Sequence, residues 1–144
     1  MDNNRNLRPG GYVEMQDINV LFGCDDGSVR QGCAISRWTN LLIKAGNMLN
    51  RPIDVAKDHK ARMEAAGSVD VEIICKWPQN QWPRDREMKE IGIWTMVNTQ
   101  QGMQALPLAA LIKGLGWTPE EVEALLIDLR KDVRDISMHI YWPM

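Results

Sequence analysis

The chain has 144 residues, 44% of them hydrophobic and 25% charged, with a net charge of −2. Those values suit one globular domain with a real core and exclude disorder for the bulk of the chain. Its 17 Lys plus Arg against 19 Asp plus Glu leave no overall basic footprint for nucleic acid, and no run of about 18 apolar residues predicts a membrane span.

The first six residues, Met1 to Asn6, are polar and lack the apolar stretch of a secretory leader. With three scattered cysteines, Cys24, Cys33 and Cys75, this predicts reduced thiols and a cytoplasmic or nuclear location. No C-x-x-C occurs and His59 and His139 are the only histidines, so no metal site is expected. Arg8-Pro9-Gly10-Gly11 reads as a turn, and Tyr12 to Asp17 as a short strand. Asp25-Asp26-Gly27-Ser28 is a second turn cluster.

From about Ile35 the apolar period becomes helical: Trp38, Leu41, Leu42, Ala45 and Leu49 share a face, and Asn50-Arg51-Pro52 stops it. Asp54 is placed to cap a second helix with Val55, His59, Met63 and Ala66 on one stripe and Gly67 at its end. Val69 to Lys76 is β-branched and predicts a strand. A proline-bounded loop, Trp77 to Pro83, precedes a helix beginning at Asp85 and apolar on several sides, with Gln100-Gln101-Gly102 as a break before another stripe around Leu108 and Leu111. Thr118-Pro119-Glu120-Glu121 combines an N-cap, a proline at the first helical position and a capping-box glutamate. Val122, Leu125, Leu126, Leu129 and Val133 follow on one face, and Ser137 to Trp142 reads as a last strand. This order predicts an α/β fold with a small mixed sheet of about three strands and four or five helices on its faces.

Asp17 falls at the carboxyl end of the first strand, where α/β sheets open their ligand crevice. With His59, whose proton affinity suits a general base, it forms the catalytic candidate set; the alternatives are simple loop capping by Asp17 and a satisfied boundary histidine at position 59. Gln16, Trp38, Trp77, Trp82, Trp94 and His139 are the substrate-binding candidates. Of these, Trp38 and Trp94 also fit helix faces in the core, as does Trp117. Trp77 and Trp82 sit beside prolines, where an aromatic face is free to meet a ligand.

Leu7-Arg8-Pro9-Gly10-Gly11-Tyr12-Val13-Glu14 resembles the turn and fifth strand of class I S-adenosylmethionine-dependent methyltransferases, and Met63 to Val71 the approach to their sixth strand. Trp82-Pro83-Arg84-Asp85, Lys89-Glu90-Ile91-Gly92, Leu115 to Glu123 and His139-Ile140-Tyr141-Trp142-Pro143 are similar to a narrower fungal methyltransferase-like group related to regulators of secondary metabolism. The resemblance runs from about Leu7 onward and implies residues 1–144 as a single, truncated, Rossmann-like domain: the C-terminal, substrate-side half. The family binds its cofactor through a glycine-rich loop after its first strand, and no G-x-G-x-x-G occurs here.

The resemblance therefore implies no cofactor for the isolated chain and no methyl transfer by it alone. Three functions follow as expectations: a small-molecule-binding protein acting as a cofactor-independent cyclase or isomerase on a natural product, a complementing subunit of a true methyltransferase, or an inactive truncated product. The expected partners are a natural-product substrate and either a second copy of the chain or a methyltransferase, because a half-sheet leaves an edge to pair.

Overall fold

The computed structural model describes residues 7–72 and 75–144. The capping box forms at Thr118: its Oγ1 accepts from Glu121 N at 3.3 Å, and the Glu121 carboxylate accepts from Thr118 N at 2.8 Å. It starts helix α4, Pro119–Arg134, whose expected stripe from Val122 to Val133 is buried. Helix α1, Ala34–Met48, lies against it, and both pack on α3, Arg86–Leu115. Ile35, Leu42, Ala45, Met103, Leu111 and Leu126 fill the space between the three.

The N-cap of α1, Cys33, makes no side-chain cap bond. Asp132 from α4 supplies the missing acceptor: its Oδ2 accepts from Ile35 N at 3.2 Å and its Oδ1 from the Arg30 guanidinium at 2.8 Å. A buried carboxylate is tolerated there because an orphan amide and a cation both face it.

Helix α3 is one element of 30 residues, capped by Asp85, which accepts from Met88 N at 2.9 Å, and closed by Gly116 at φ 72°. The expected break at Gln100-Gln101-Gly102 is absent. A mid-helix glycine costs about 1 kcal/mol relative to alanine, glutamine is a good helix former, and the buried Met103 and Leu111 hold the following turns on the core. Two glycines let backbones meet: a methyl at Gly114 would sit 2.9 Å from the Ala45 carbonyl oxygen, and one at Gly92 only 2.0 Å from that of Asn80.

The α/β class holds, with a sheet that is narrow and antiparallel. Strand β1, Lys76–Pro78, pairs with β2, Tyr141–Pro143, in the register Trp77 opposite Trp142. On the other edge of β2, Gly23 bridges to Tyr141, with Gly23 N to Tyr141 O at 2.8 Å and Tyr141 N to Gly23 O at 3.0 Å, and Asn19 N donates to Pro143 O. The final strand is thus antiparallel to both neighbours, but the third segment is near Gly23 and not at Tyr12 to Asp17, which is mostly exposed and without a ladder partner among the described residues. Of the strand expected over Val69 to Lys76, Lys76 joins the ladder and the Cys75 carbonyl extends it by accepting from Met144 N at 3.0 Å; Ile73 and Ile74 lie outside the described residues.

The second helix departs from expectation as well. A 3-10 turn, Val55–Asp58, leads into α2, His59–Ala65, and neither has a buried residue. Asp54 does not cap it; its carboxylate pairs with Lys57. Gly67, at φ 93°, ends it as expected, with Ser68 N donating to Met63 O.

Two substitutions test this packing. Asp132→Ala removes the acceptor from a buried amide and is expected to cost about 1–3 kcal/mol in urea unfolding. Gly92→Ala drives a methyl into the Asn80 carbonyl and is expected to cost about 1–3 kcal/mol as an overpacking change; wild-type stability in either variant would contradict the contact it tests.

Candidate functional site

The two catalytic candidates meet. His59 opens α2, and its Nε2 lies 2.9 Å from Asp17 Oδ2. The imidazole is largely covered, at 18% exposure, and the carboxylate is open, at 47%. A histidine whose one ring nitrogen faces a carboxylate keeps the other for a second partner. Asp17 reaches it from a segment without a ladder partner among the described residues, not from the end of a strand. Its neighbour Gln16 is exposed and donates to Glu14 Oε1 at 2.8 Å, so it is turned along its own segment.

The other candidates disperse. Trp38 and Trp77 are partly buried and pack on the core. Trp94, expected in the core, is 61% exposed; α3 is apolar on more sides than its neighbours cover. Trp94 lines an open cleft of about 420 Å³ with Arg86, Lys89, Glu90 and Ile93. A second open cleft, about 500 Å³, runs between Arg30, Arg37, Lys131, Asp128 and Asp135. Neither cleft is lined by Asp17, His59 or His139.

Trp82 and His139 do come together, stacked with ring centroids 4.9 Å apart at 26°. They belong to a polar cluster at the Gly23 edge of the sheet that the sequence marked only as a turn. His139 Nδ1 lies 2.5 Å from Asp26 Oδ2, and the His139 backbone N donates to Ser28 Oγ at 2.8 Å. Asp26 Oδ1 accepts from Ser28 N at 3.0 Å and from the Cys24 thiol at 3.3 Å. Beside it, Asp25 accepts from Tyr141 OH at 2.7 Å and from Lys76 Nζ at 2.8 Å, and the Lys76 ammonium sits 4.5 Å from the Tyr141 ring centroid. The signals for this cluster were present separately, as the Asp25 to Ser28 turn and the His139-Ile140-Tyr141 stretch, but their proximity is set by the Gly23–Tyr141 bridge.

These contacts move proton affinities. Ser28, through its hydroxyl and backbone N–H, and then His139 and Cys24, hold the Asp26 carboxyl well below the usual carboxylate range. Lys76 and then Tyr141 lower Asp25, and Asp25 in turn raises both Lys76 and Tyr141. Among the described residues, no group of three or more His, Cys, Asp or Glu side chains is arranged to hold a metal ion, and Cys24, Cys33 and Cys75 are free thiols.

The chain is similar along nearly its whole length to fungal proteins. It is 33% identical over 139 residues to the probable methyltransferase tdiE of Emericella nidulans, covering 96% of this chain and 44% of that protein. It is 33% identical over 140 residues to the protein-methionine methyltransferase laeA of Chaetomium globosum, covering 95% and 44%. With the secondary metabolism regulator LAE1 of Cochliobolus heterostrophus it shares 30% identity over 140 residues, covering 94% and 45%. No family model and no solved structure matches. The chain therefore spans under half the length of the curated relatives it matches, and it is homologous to the C-terminal part of these fungal methyltransferases and secondary-metabolism regulators.

The lowered carboxyls give the cluster an acid limb. Their folded-state affinities lie below the unfolded value of about 3.9, so their contribution is complete above that value and drains as pH falls through the folded one. Carbon-13 titration of the Asp26 carboxyl is expected to give a midpoint clearly below the ordinary range, and Asp26→Asn to weaken the acid-side loss of stability; an ordinary midpoint would remove the Ser28 and His139 contacts from the account.

Proposed function

We propose that this chain is the substrate-side part of a methyltransferase-like protein of fungal secondary metabolism, and that methyl transfer needs a cofactor-binding part which these residues do not supply. The observation that carries this reading is the match: nearly all of the chain aligns with only the C-terminal 44% of tdiE. The sequence adds support, since it lacks the glycine-rich strand–turn–helix that holds a nucleotide-like cofactor. So does the surface: Tyr12 is 96% exposed, Val69 82% and Trp94 61%, large apolar side chains that a partner could cover. That surface supports a complementing methyltransferase part, or a second copy of the chain, as partner.

A second reading has its own observation. The Asp17–His59 pair, 2.9 Å apart, is a base with an orienting carboxylate, and such a pair serves a cofactor-independent cyclase or isomerase acting on a natural product. It ranks lower because neither cleft described above contains the pair, and proton chemistry on an organic substrate gains most where water is excluded.

Calorimetry separates the two. The isolated chain is expected to show no binding of S-adenosylmethionine in the micromolar range, and the chain mixed with the N-terminal part of tdiE to recover it. Micromolar affinity of the chain alone would overturn the proposal. Product formation from fungal extracts without the cofactor, reduced about 10²-fold by Asp17→Asn or His59→Ala, would establish the second reading in its place. Sedimentation of the chain as a clean monomer at high concentration would count against self-association.

A further inference from the structure

We propose that His139 presents its Nε2 as a proton acceptor for a phenolic or enolic hydroxyl, with Asp26 as its positioning residue. The inference stands on the cluster at the Gly23 edge alone and does not depend on the reading above.

The geometry sets the tautomer. An ionised carboxylate 2.5 Å from Nδ1 requires the neutral ring to carry its proton there, which leaves the lone pair on Nε2. Nothing among the described residues hydrogen-bonds that nitrogen, and the side chain is 39% exposed. Asp26 is not free to turn away, because Ser28 N and the Cys24 thiol occupy its other oxygen. The low proton affinity those donors impose keeps it ionised near neutral pH.

The ring plane is fixed as well. Trp82 stacks on it, and Trp82 is itself pinned by Nε1 donating to Ile140 O at 2.9 Å and by its backbone N donating to Asn80 Oδ1 at 3.1 Å. The remaining charges nearby, Asp25 and Lys76, are engaged with each other. This is the arrangement of a base and its orienting acid: a fixed carboxylate, a fixed ring and one open nitrogen.

Chemistry then selects the ligand class. A free imidazole titrates near 6.5 and a phenol near 10, roughly 3.5 units apart. Aliphatic hydroxyls are far weaker acids. In the step itself the ligand O–H bond breaks, its electron pair stays on oxygen, and the proton moves to Nε2. The imidazolium then pairs with the Asp26 carboxylate until it returns the proton to water or to the ligand.

His59 is an internal control, because it faces Asp17 through Nε2 and not Nδ1. Long-range proton–nitrogen correlation on the nitrogen-15-labelled chain is expected to show the Nδ1–H tautomer at His139 and the Nε2–H tautomer at His59. Diethyl pyrocarbonate near neutral pH, read by peptide mass spectrometry, is expected to acylate His139. Asp26→Asn should slow that acylation about three-fold or more, and millimolar phenol about two-fold or more, with His59 unaffected in both cases. An Nε2–H tautomer at His139 in the unmutated chain overturns the proposal without any variant having to fold. Unchanged His139 acylation in a folded Asp26→Asn chain overturns the positioning role, and unchanged acylation with phenol overturns the ligand assignment.

Discussion

The fold hangs on one short segment, residues 139–143, hydrogen-bonded along both edges. On one side it pairs with β1, and its Ile140 carbonyl accepts from Gln79 N at 2.9 Å and from the Trp82 indole. On the other side it exchanges two bonds with Gly23 and one with Asn19. Strand alternation does the rest: Ile140 and Trp142 point inward and are buried, while His139 and Tyr141 face the Asp25–Asp26 turn. Gly23 leaves room for the Tyr141 ring at the crossing: a methyl there would sit 2.4 Å from it, so the ring would have to move off its Asp25 contact. Gln79, fully buried, ties the inner face by accepting from Trp142 Nε1 at 2.7 Å. The same residues that close the sheet thus create the polar cluster at its edge.

A second constraint joins the helices at long range. Asp132 binds α4 to the start of α1 and to Arg30, and Arg30 also reaches Asp135 at 3.3 Å. Asn80 Nδ2 donates to the Asp135 carbonyl at 3.0 Å, so the loop after β1 is tied to the end of α4. The Ile35 N–Asp132 bond is buried and the others are part-buried, so the network is anchored on the Asp132 carboxylate. The arm formed by residues 55–72 is held differently. It has no buried residue in its helices, and Asp17–His59 is a hydrogen-bonded pair open on its acidic side. Exposed pairs of that kind contribute about 0–1 kcal/mol, which places the arm at the low-stability end of the molecule.

What was legible in the sequence follows from how local each cause is. The capping box at Thr118, the stripe of α4, the start of α3 at Asp85 and the stops after Met48 and at Gly67 are set within a few residues, and the structure has each of them. The continuity of α3 through Gly102 was not legible, because Met103 and Leu111 are held by α1 and α4, not by their neighbours in sequence. The strand at Tyr12 failed for the converse reason: its alternation is genuine, but among the described residues no edge pairs with it. Trp94 shows the limit of reading apolar faces, since apolarity says that a face wants cover and not that cover is present. Asp17 and His59 could be named one by one from the sequence, whereas the cluster of Cys24, Asp26, Ser28 and His139 depends on partners up to 113 residues apart.

The distribution of exposed apolar side chains gives the last step. They are concentrated in three places: Tyr12 to Leu21, Met48 to Val69, and the first half of α3 around Met88 to Trp94. The core formed by α1, α3, α4 and the two strands is complete without them. A random scatter of exposed Leu or Ile would need no explanation, but segments whose sequences carry strand alternation or a helical stripe and yet leave large apolar side chains exposed are faces without cover among the described residues. Two of the three, Tyr12 onward and Met63 to Val71, are also the stretches that resemble strand regions of a methyltransferase sheet, where a strand gains its stability from neighbours on both edges. The uncovered surface and the partial alignment are therefore accounted for by one cause under the proposed function: these segments carry the pattern of a sheet whose other strands are contributed from outside the residues described.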